Sequence, residues 1–223
     1  MVADRTIPLF PLPNVVHFPR TDLYLHVFEP RYRALVRDLG GQTNGEPLIG
    51  VVLTRSGHEG STDASPPIHQ TGTAGLLAEV ELLPQGRSNI RLEGQFRFDI
   101  THELSAQPYR RALVRPREDS RLSESTPEVS GWRENLLELL RFLQATTGKM
   151  PAFGSAGLDQ LPTEELVNGL AAHLDLPALA KLDLLNRDLP ERTDRILSIL
   201  RSRRRVVELL QPFRDLDTHP ELN

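Results

Sequence analysis

The chain has 223 residues, of which 39% are hydrophobic and 25% charged, and its formal net charge is −4. This composition predicts a folded protein with one large domain or two small ones, and it argues against a disordered chain. The apolar runs are far shorter than the ~20 residues that span a bilayer, and the amino terminus lacks the apolar core of a secretory signal. The absence of cysteine excludes disulfides and thiolate chemistry, so we expect a cytoplasmic protein.

The densest local signals lie in residues 7–36. Four prolines interrupt the apolar runs there, so no helix can pass through the whole stretch. From Leu23 to Val27 the apolar residues recur at every second position, which is typical of a strand. Pro30 suits a first helical turn, and Tyr32 and Leu35 follow at helical spacing. The stretch therefore predicts a strand, a kink, a second strand and a short helix.

The next hundred residues also read mostly as strands. Residues 48–53 are apolar and partly β-branched, which favours a buried strand, and residues 74–83 alternate. Between them, residues 54–73 are rich in Gly, Ser, Thr and Pro and predict a polar loop, the most mobile part of the chain. A hairpin turn is expected at residues 84–87, and a further strand at residues 109–114.

Residues 90–100 have the clearest strand pattern. The alternation predicts that Ile90, Leu92, Phe96, Phe98 and Ile100 face inward and that Arg91, Glu93, Gln95, Arg97 and Asp99 face outward. Gly94 interrupts the inward row, which indicates a bulge where the sheet curls into a barrel.

After a polar linker at residues 116–128, the apolar period becomes helical. Four helices are expected: one around residues 132–143, one around 166–174, one that Asp175 could cap, and one that starts at Asp188 and ends at Pro212. The pair Asp188 and Glu191 has the spacing of a capping box. Strands followed by helices predict an α+β protein.

Several short pieces occur in an order that resembles the amino-terminal, substrate-binding domain of the Lon protease family. Besides residues 7–36, they are Gly50, Gly72-Thr73-Ala74, Leu83-Pro84-Gln85-Gly86-Arg87, Gly94-Gln95-Phe96-Arg97-Phe98, Leu161-Pro162 to Leu174, and Leu189-Pro190-Glu191-Arg192. The resemblance implies a PUA-like curled β-sheet or pseudo-barrel with a short helix at residues 1–118, followed by an α-helical bundle at residues 119–223.

The resemblance also implies a binding function without catalysis. The phosphate-binding loop of an ATPase is absent, because the lone Gly148-Lys149 pair lacks the rest of that motif. We therefore expect a stand-alone domain that acts as an adaptor or binder of unfolded or partly folded polypeptide segments. The expected partners are such segments or another protein. A link to a separate ATP-dependent protease and the formation of a homo-oligomer are also among the expectations. No cofactor, metal or membrane is expected.

Three residues are the candidate peptide contacts, and we expect them to be exposed: Phe28, Arg31 and Tyr32. Arg31 and Arg97 are also candidates for ion pairs beneath the sheet, with Glu29 as the first partner to consider.

Four alternatives are weaker. PUA-like folds bind RNA in other families, and Arg201, Arg203, Arg204 and Arg205 cluster on the last helix, but the net charge is negative and few aromatic residues could stack bases. Ser155 lies in a Gly/Ala setting similar to the family's nucleophile, but no recognisable base accompanies it. His58, Glu59, Asp63 and His69 could gather a metal, but a solvated loop is the simpler interpretation. His26 with Glu29, or His102 with Glu103, could be imagined as acid–base pairs, but adjacent positions on a strand point to opposite faces, so His102 and Glu103 would diverge.

Overall fold

A computed structural model describes residues 3–41, 45–55, 66–104, 108–117, 119, 123–148 and 157–214. These ranges contain six strands and five α-helices. The strands are β1 (Arg5–Leu12), β2 (Asp22–Val27), β3 (Leu48–Thr54), β4 (Ile68–Leu82), β5 (Ser88–Leu104) and β6 (Arg111–Arg117). The helices are α1 (Pro30–Gly40), α2 (Pro127–Thr147), α3 (Thr163–His173), α4 (Ala178–Asn186) and α5 (Leu189–Arg214). The α+β class predicted from the sequence is confirmed.

The six strands form one sheet that closes on itself. Its order is β2-β5-β4-β3-β1-β6, and an additional pairing of β5 with β6 completes a ring of five strands. Only β1 and β3 are parallel, and the other pairs are antiparallel. Because β5 is 17 residues long, its first half pairs with β2 and β4, and its second half pairs with β4 and β6. The strand β2 lies outside the ring.

The bulge expected at Gly94 is confirmed. Gly94 lies opposite Gly75 and Phe96 lies opposite Ala74, so Gln95 is an extra residue in β5. At this bend, Gly94 N donates to Thr21 O at 2.9 Å. A Cβ at position 94 would overlap the carbonyl oxygen of Phe18, so the close approach of the two backbone segments requires glycine.

Two clusters of buried apolar side chains fill the β-rich part. The first lies between the sheet and α1, and the second lies inside the ring. The first contains Phe10, Val27, Tyr32, Leu35, Val36, Leu39, Ile49, Val51, Ile90 and Leu92. The second contains Ile7, Leu9, Leu48, Val52, Ile68, Ala74, Phe98, Ala112 and Val114. Every residue of β3 is buried, as expected for a strand covered on both faces.

Residues 68–73 are a correction to the predicted loop, because they form the start of β4. Gly72 pairs with Val52 and Ile68 pairs with Thr54, and this long-range pairing overrides the turn-like composition. Residues 56–65 of that loop lie outside the described residues.

Arg97 is a second correction. The sequence places it on the outer, solvated side of β5, but its side chain is only 2% exposed. Its guanidinium donates to Leu185 O and Arg187 O, both at 2.7 Å, and pairs with Asp119. The outward face of β5 is covered here by α4, which the alternation of β5 alone could not reveal. The expected ion pair of Arg97 is confirmed, with Asp119 as its partner.

The chain divides into two compact units. One comprises Met1–Asp119 and Leu174–Arg187, and the other comprises Ser120–His173 and Asp188–Asn223. The segment that contains α4 therefore groups with the strands, whereas the sequence assigns it to the helices. The predicted domain boundary near residue 118 stays a prediction.

In the second unit, α5 packs against α2 and α3. The predicted cap is confirmed, since Asp188 Oδ1 accepts a bond from Glu191 N at 3.0 Å. The guanidinium of Arg192 is fully buried and donates to Asn168 Oδ1. Two expectations were wrong. The helix α5 continues to Arg214, past the proline expected to end it, and Pro177 rather than Asp175 precedes α4 as its N-cap. A proline inside a helix removes one hydrogen bond without always ending the helix.

Candidate functional site

The strand β2 has a neighbour on one side only in the described part of the chain. It pairs with β5 from Asp22 opposite Glu93 to Val27 opposite Ser88, with no shift in register, and with no other described strand. The other edge of β2 therefore carries backbone N–H and C=O groups without a strand partner. An edge of this kind can accept an additional strand.

The hydrogen-bonding pattern determines which residues direct their amides to the free edge. In an antiparallel pair, opposite residues alternate between bonded and non-bonded pairs, and the bond from Gly94 N to Thr21 O starts this alternation. On the other side of β5, Leu77 of β4 lies opposite Leu92, and its N–H donates to Pro47 O at 2.9 Å rather than to β5. Leu77 and Leu92 are therefore a non-bonded pair, as this alternation requires. The residues with outward amides are then Asp22, Tyr24 and His26.

The same strand presents a row of exposed rings on its outer face. Tyr24 is 71% exposed and Phe28, directly after the strand, is 60% exposed. The ring of His26 lies between them in the sequence, with its centroid 6.1 Å from that of Phe28. Two-residue periodicity explains why all three face the same way.

The outer face continues as a polar ladder across β5 and β4. His26 Nδ1 lies 2.8 Å from Asn89 Oδ1, and Asn89 Nδ2 donates to Glu81 Oε2 at 2.7 Å. Since the amide nitrogen of Asn89 serves Glu81, its oxygen is the acceptor, and Nδ1 of His26 carries the donated proton. The ladder fixes the orientation of the His26 ring beside the free edge.

Four carboxylates lie on this face, and three of them surround one guanidinium. Arg91 contacts Glu79 at 2.8 Å, Asp22 at 3.1 Å and Glu93 at 2.7 Å, and Glu81 is the fourth carboxylate. The hydrogen bonds to Glu79 and Glu93 raise the pKa of the Arg91 guanidinium. The face holds a shallow hollow of about 440 Å³, lined by Tyr24, Leu25, His26, Glu79, Glu81, Asn89, Ile90 and Arg91.

The inner face of the same three strands is apolar. Leu23 and Leu25 of β2 are partly buried at the margin of the first core cluster. At the far end of β4, Val80 and Leu82 remain exposed. A chain segment placed beside β2 would therefore meet polar groups on one side and the margin of the core on the other.

The three predicted contact residues differ in exposure. Phe28 is exposed, and Arg31 is partly buried, with its guanidinium 2.8 Å from Glu29 and 4.6 Å from the centroid of the Tyr32 ring. The expected ion pair of Arg31 and Glu29 is confirmed. The expectation that Tyr32 is exposed was wrong, because the helix that starts at Pro30 turns it inward.

Tyr32 instead lies in the core beneath this surface. It is 3% exposed and stacks on Phe10 with 3.9 Å between ring centroids. Burial raises the pKa of its hydroxyl to about 12, so the phenol is neutral at physiological pH. The sequence did not single out Tyr24 or Asn89, although the period of two along β2 already placed Tyr24 beside His26. Nothing local could have shown that their strand lies at an edge.

The remaining sequence candidates form no second site in the part of the chain that the structure describes. Ser155, Lys149, His58, Glu59 and Asp63 lie outside that part. Within it, no group of three or more His, Asp or Glu side chains could hold a metal ion. His102 and Glu103 are adjacent and exposed on β5, and Glu103 is paired with Arg110.

A second groove, of about 330 Å³, lies where β1, β3 and β6 begin. Arg5 pairs with Glu46 across 3.2 Å, and the hydroxyl of Tyr109 donates to Asp38 at 3.1 Å. Because its charged groups are largely satisfied by one another, we give this groove no ligand.

The arginine run on α5 is partly engaged within the helical unit. Arg204 pairs with Glu138 at 3.0 Å and with Glu208 at 2.7 Å, and its guanidinium lies 4.7 Å from the centroid of the Phe142 ring. The RNA-binding alternative that rests on this run stays a prediction.

The sequence matches the family described as the ATP-dependent protease La (LON) substrate-binding domain over residues 6–202. The chain therefore belongs to this family, as the resemblance indicated. Among similar proteins, Lon protease 2 of Myxococcus xanthus is 29% identical over 209 residues, which cover 92% of this chain and 24% of that protein. Lon protease of Anaeromyxobacter dehalogenans is 28% identical, over 91% of this chain and 24% of that protein. The chain thus spans about a quarter of the length of these relatives.

Two solved structures share the fold. The Lon N-terminal domain protein from Xanthomonas campestris has a TM-score of 0.60 and 26% identity, over 87% of this chain and 98% of that one. The N-terminal domain of Lon protease from the Mycobacterium avium complex has a TM-score of 0.65 and 12% identity, over 88% of this chain and 98% of that one. Among the described helices, none combines the length and apolar character needed to cross a bilayer.

Proposed function

We propose that this domain binds extended polypeptide segments by adding them as a strand to the free edge of β2. The observation that carries the proposal is the edge itself, where the amides of Asp22, Tyr24 and His26 point away from β5. Backbone pairing supplies affinity that does not depend on one particular sequence. This property suits a domain that must accept many unfolded or partly folded chains.

Side chains at the end of β2 would add contacts with the bound segment. Phe28 offers an exposed ring, and the guanidinium of Arg31 is held by Glu29 and by the face of Tyr32. Tyr32 contributes by positioning Arg31 and α1 rather than by direct contact, because it is buried. The proposal requires no cofactor and assigns no catalytic step to the domain.

The family connects this binding with proteolysis. Its members in the comparisons are named Lon proteases, and the matched segment is described as substrate-binding. We assign the domain the role of an adaptor or binder that selects polypeptide for an ATP-dependent protease in the cytoplasm. The partner of this domain would then be the protease that receives the bound segment.

The test is binding of a labelled, permanently unfolded polypeptide, followed by fluorescence anisotropy. Two variants isolate the backbone contribution: Tyr24→Pro removes both the ring and the outward N–H, and Tyr24→Ala removes the ring alone. We expect Tyr24→Pro to bind about tenfold more weakly than Tyr24→Ala, since one pairing position is lost. Both should fold, because this N–H is not used in the ladder with β5. Equal binding by the two variants would contradict edge pairing.

Hydrogen exchange gives an independent measurement on the unmodified protein. Binding should slow the exchange of the amides of Asp22, Tyr24 and His26, which become hydrogen-bonded. The binding assay, repeated over a series of salt concentrations with single-stranded RNA as well as the polypeptide, tests the alternative function. Binding of RNA alone, with affinity that falls steeply as salt rises, would replace our proposal.

A further inference from the structure

We propose that the segment bound at β2 alternates basic and apolar residues. This inference rests on the proposed function and adds the chemical class of the ligand. It follows from the two faces that flank the free edge, since side chains of an added strand point alternately to each of them.

The outer face is acidic. The charged groups on these parts of the three strands are Asp22, Glu79, Glu81, Glu93 and Arg91, and Arg20 and Arg87 stand just outside the strands. Four carboxylates against three guanidinium groups leave a net charge of −1. Arg91 is surrounded by three of the carboxylates, and Arg87 Nε donates to Pro84 O of its own turn at 3.3 Å. The carboxylates are thus only partly neutralised.

The acidic groups are within electrostatic reach of an added strand. Such a strand would lie about 4.8 Å from β2, so its outer side chains would adjoin Asp22 directly. Glu79 and Glu81 lie on β4, three strand spacings or about 14 Å from the added strand. The flexible stems of a lysine or arginine and of the glutamates together shorten that gap to about the Debye length, roughly 8 Å at physiological ionic strength. The exposed ring of Tyr24 also offers its face to a cation.

The inner face favours the apolar residues of the alternating segment. Leu23 and Leu25 are partly buried at the margin of the first core cluster. Apolar side chains at alternate positions of the added strand would cover them and extend that cluster. A charged side chain placed there would instead lose water without gaining a partner.

The experiment compares peptides of about ten residues, the length of a long strand. Three of the peptides alternate valine with lysine, serine or glutamate. The fourth has the same composition as the lysine peptide, but its valines and its lysines form two separate blocks. We expect the alternating lysine peptide to bind at least about tenfold more tightly than the serine peptide, and the glutamate and block peptides to bind more weakly still. The preference for lysine should shrink as salt increases.

Variants separate the charge inference from the proposed function. Glu79→Gln combined with Glu81→Gln should cut the preference for lysine over serine about threefold, while Glu134→Gln on α2 should leave it unchanged. If all four peptides bind equally, the charge inference fails and the proposed function stands. If none binds, and the unfolded polypeptide does not bind either, the proposed function itself fails.

Discussion

Two arginines on the same strand show how differently the two halves of β5 are built. Arg91, in the half that pairs with β2, has a side chain 19% exposed and contacts three carboxylates at the surface. Arg97, in the half that closes the ring with β6, is 2% exposed and caps the carbonyl end of α4. The sequence places both on the outward row. The difference comes from what covers each half. The helix α4 covers the half that contains Arg97, whereas the half that contains Arg91 is left open beside the free edge of β2.

The comparison separates stability from recognition within one sheet. The half of β5 that closes the ring contains buried polar groups that must stay paired, so substitutions there should destabilise the fold. The open half exposes its polar ladder and its backbone edge, so changes there should affect binding more than folding.

The largest effect is expected for Arg97→Met. It would remove the guanidinium that pairs with the nearly buried carboxylate of Asp119, and it would also remove the donor to two carbonyls of the α4 end. We expect a loss of about 3–5 kcal/mol in the free energy of unfolding, measured by urea denaturation with circular dichroism. The matched variant is Arg91→Met, which should cost clearly less. Equal losses in the two variants would remove the distinction between the halves.

A pH-dependent effect is expected at His17, which lies under the bend between the halves. Its Nε2 bonds to Thr21 O at 3.0 Å, and burial lowers its pKa from 6.5 to about 4. The unfolded chain therefore binds more protons below pH 6.5, so this contribution to stability is complete above that pH and is lost as the pH falls toward 4. The loss should reach about 3 kcal/mol at pH 4.

The measurement is the unfolding free energy between pH 7 and pH 4 for the wild type and for His17→Gln, which cannot titrate. Subtracting the two curves removes the other ionisable groups. His102→Gln, at an exposed position of β5, is the control and should follow the wild type. Parallel curves for wild type and His17→Gln would show that His17 is not held neutral.

The bend itself is tested by Gly94→Ala. A methyl group there would overlap the backbone of Phe18, so the two segments must separate. We expect a loss of about 2 kcal/mol in unfolding free energy. The control is Gly131→Ala in α2, where nothing lies within 4 Å of the new Cβ and helix propensity should add about 1 kcal/mol. A neutral Gly94→Ala would mean that the bend does not depend on close backbone contact.

The smallest change in stability is expected for Phe28→Ser on the open side. Because Phe28 is exposed, its loss should alter the unfolding free energy by less than about 0.5 kcal/mol. Binding of the unfolded polypeptide should nevertheless weaken severalfold, as anisotropy would show. Tyr32→Ser is the contrasting variant, since loss of the stacked ring should destabilise the fold. A large stability loss for Phe28→Ser would place this residue with the core rather than the binding edge.

The sequence by itself determined the features that depend on near neighbours along the chain. The period of two gave the strands, and Pro30 and the pair Asp188 and Glu191 gave the helix starts. The interruption at Gly94 gave the bulge. These signals act through bonds and contacts a few residues apart, so the local pattern is sufficient. The order of strands before helices gave the α+β class, and the family resemblance added the curled sheet and the helical bundle.

Only the tertiary structure decided which surfaces are covered. The burial of Arg97 required α4, whose first residue lies about eighty positions later in the chain. The pairing of residues 68–73 with β3 and the inward turn of Tyr32 onto Phe10 likewise needed distant partners. The free edge of β2 is the clearest case, because alternation shows that a strand exists but not how many neighbours it has. That number depends on how the sheet closes, and closure is a property of all its strands together.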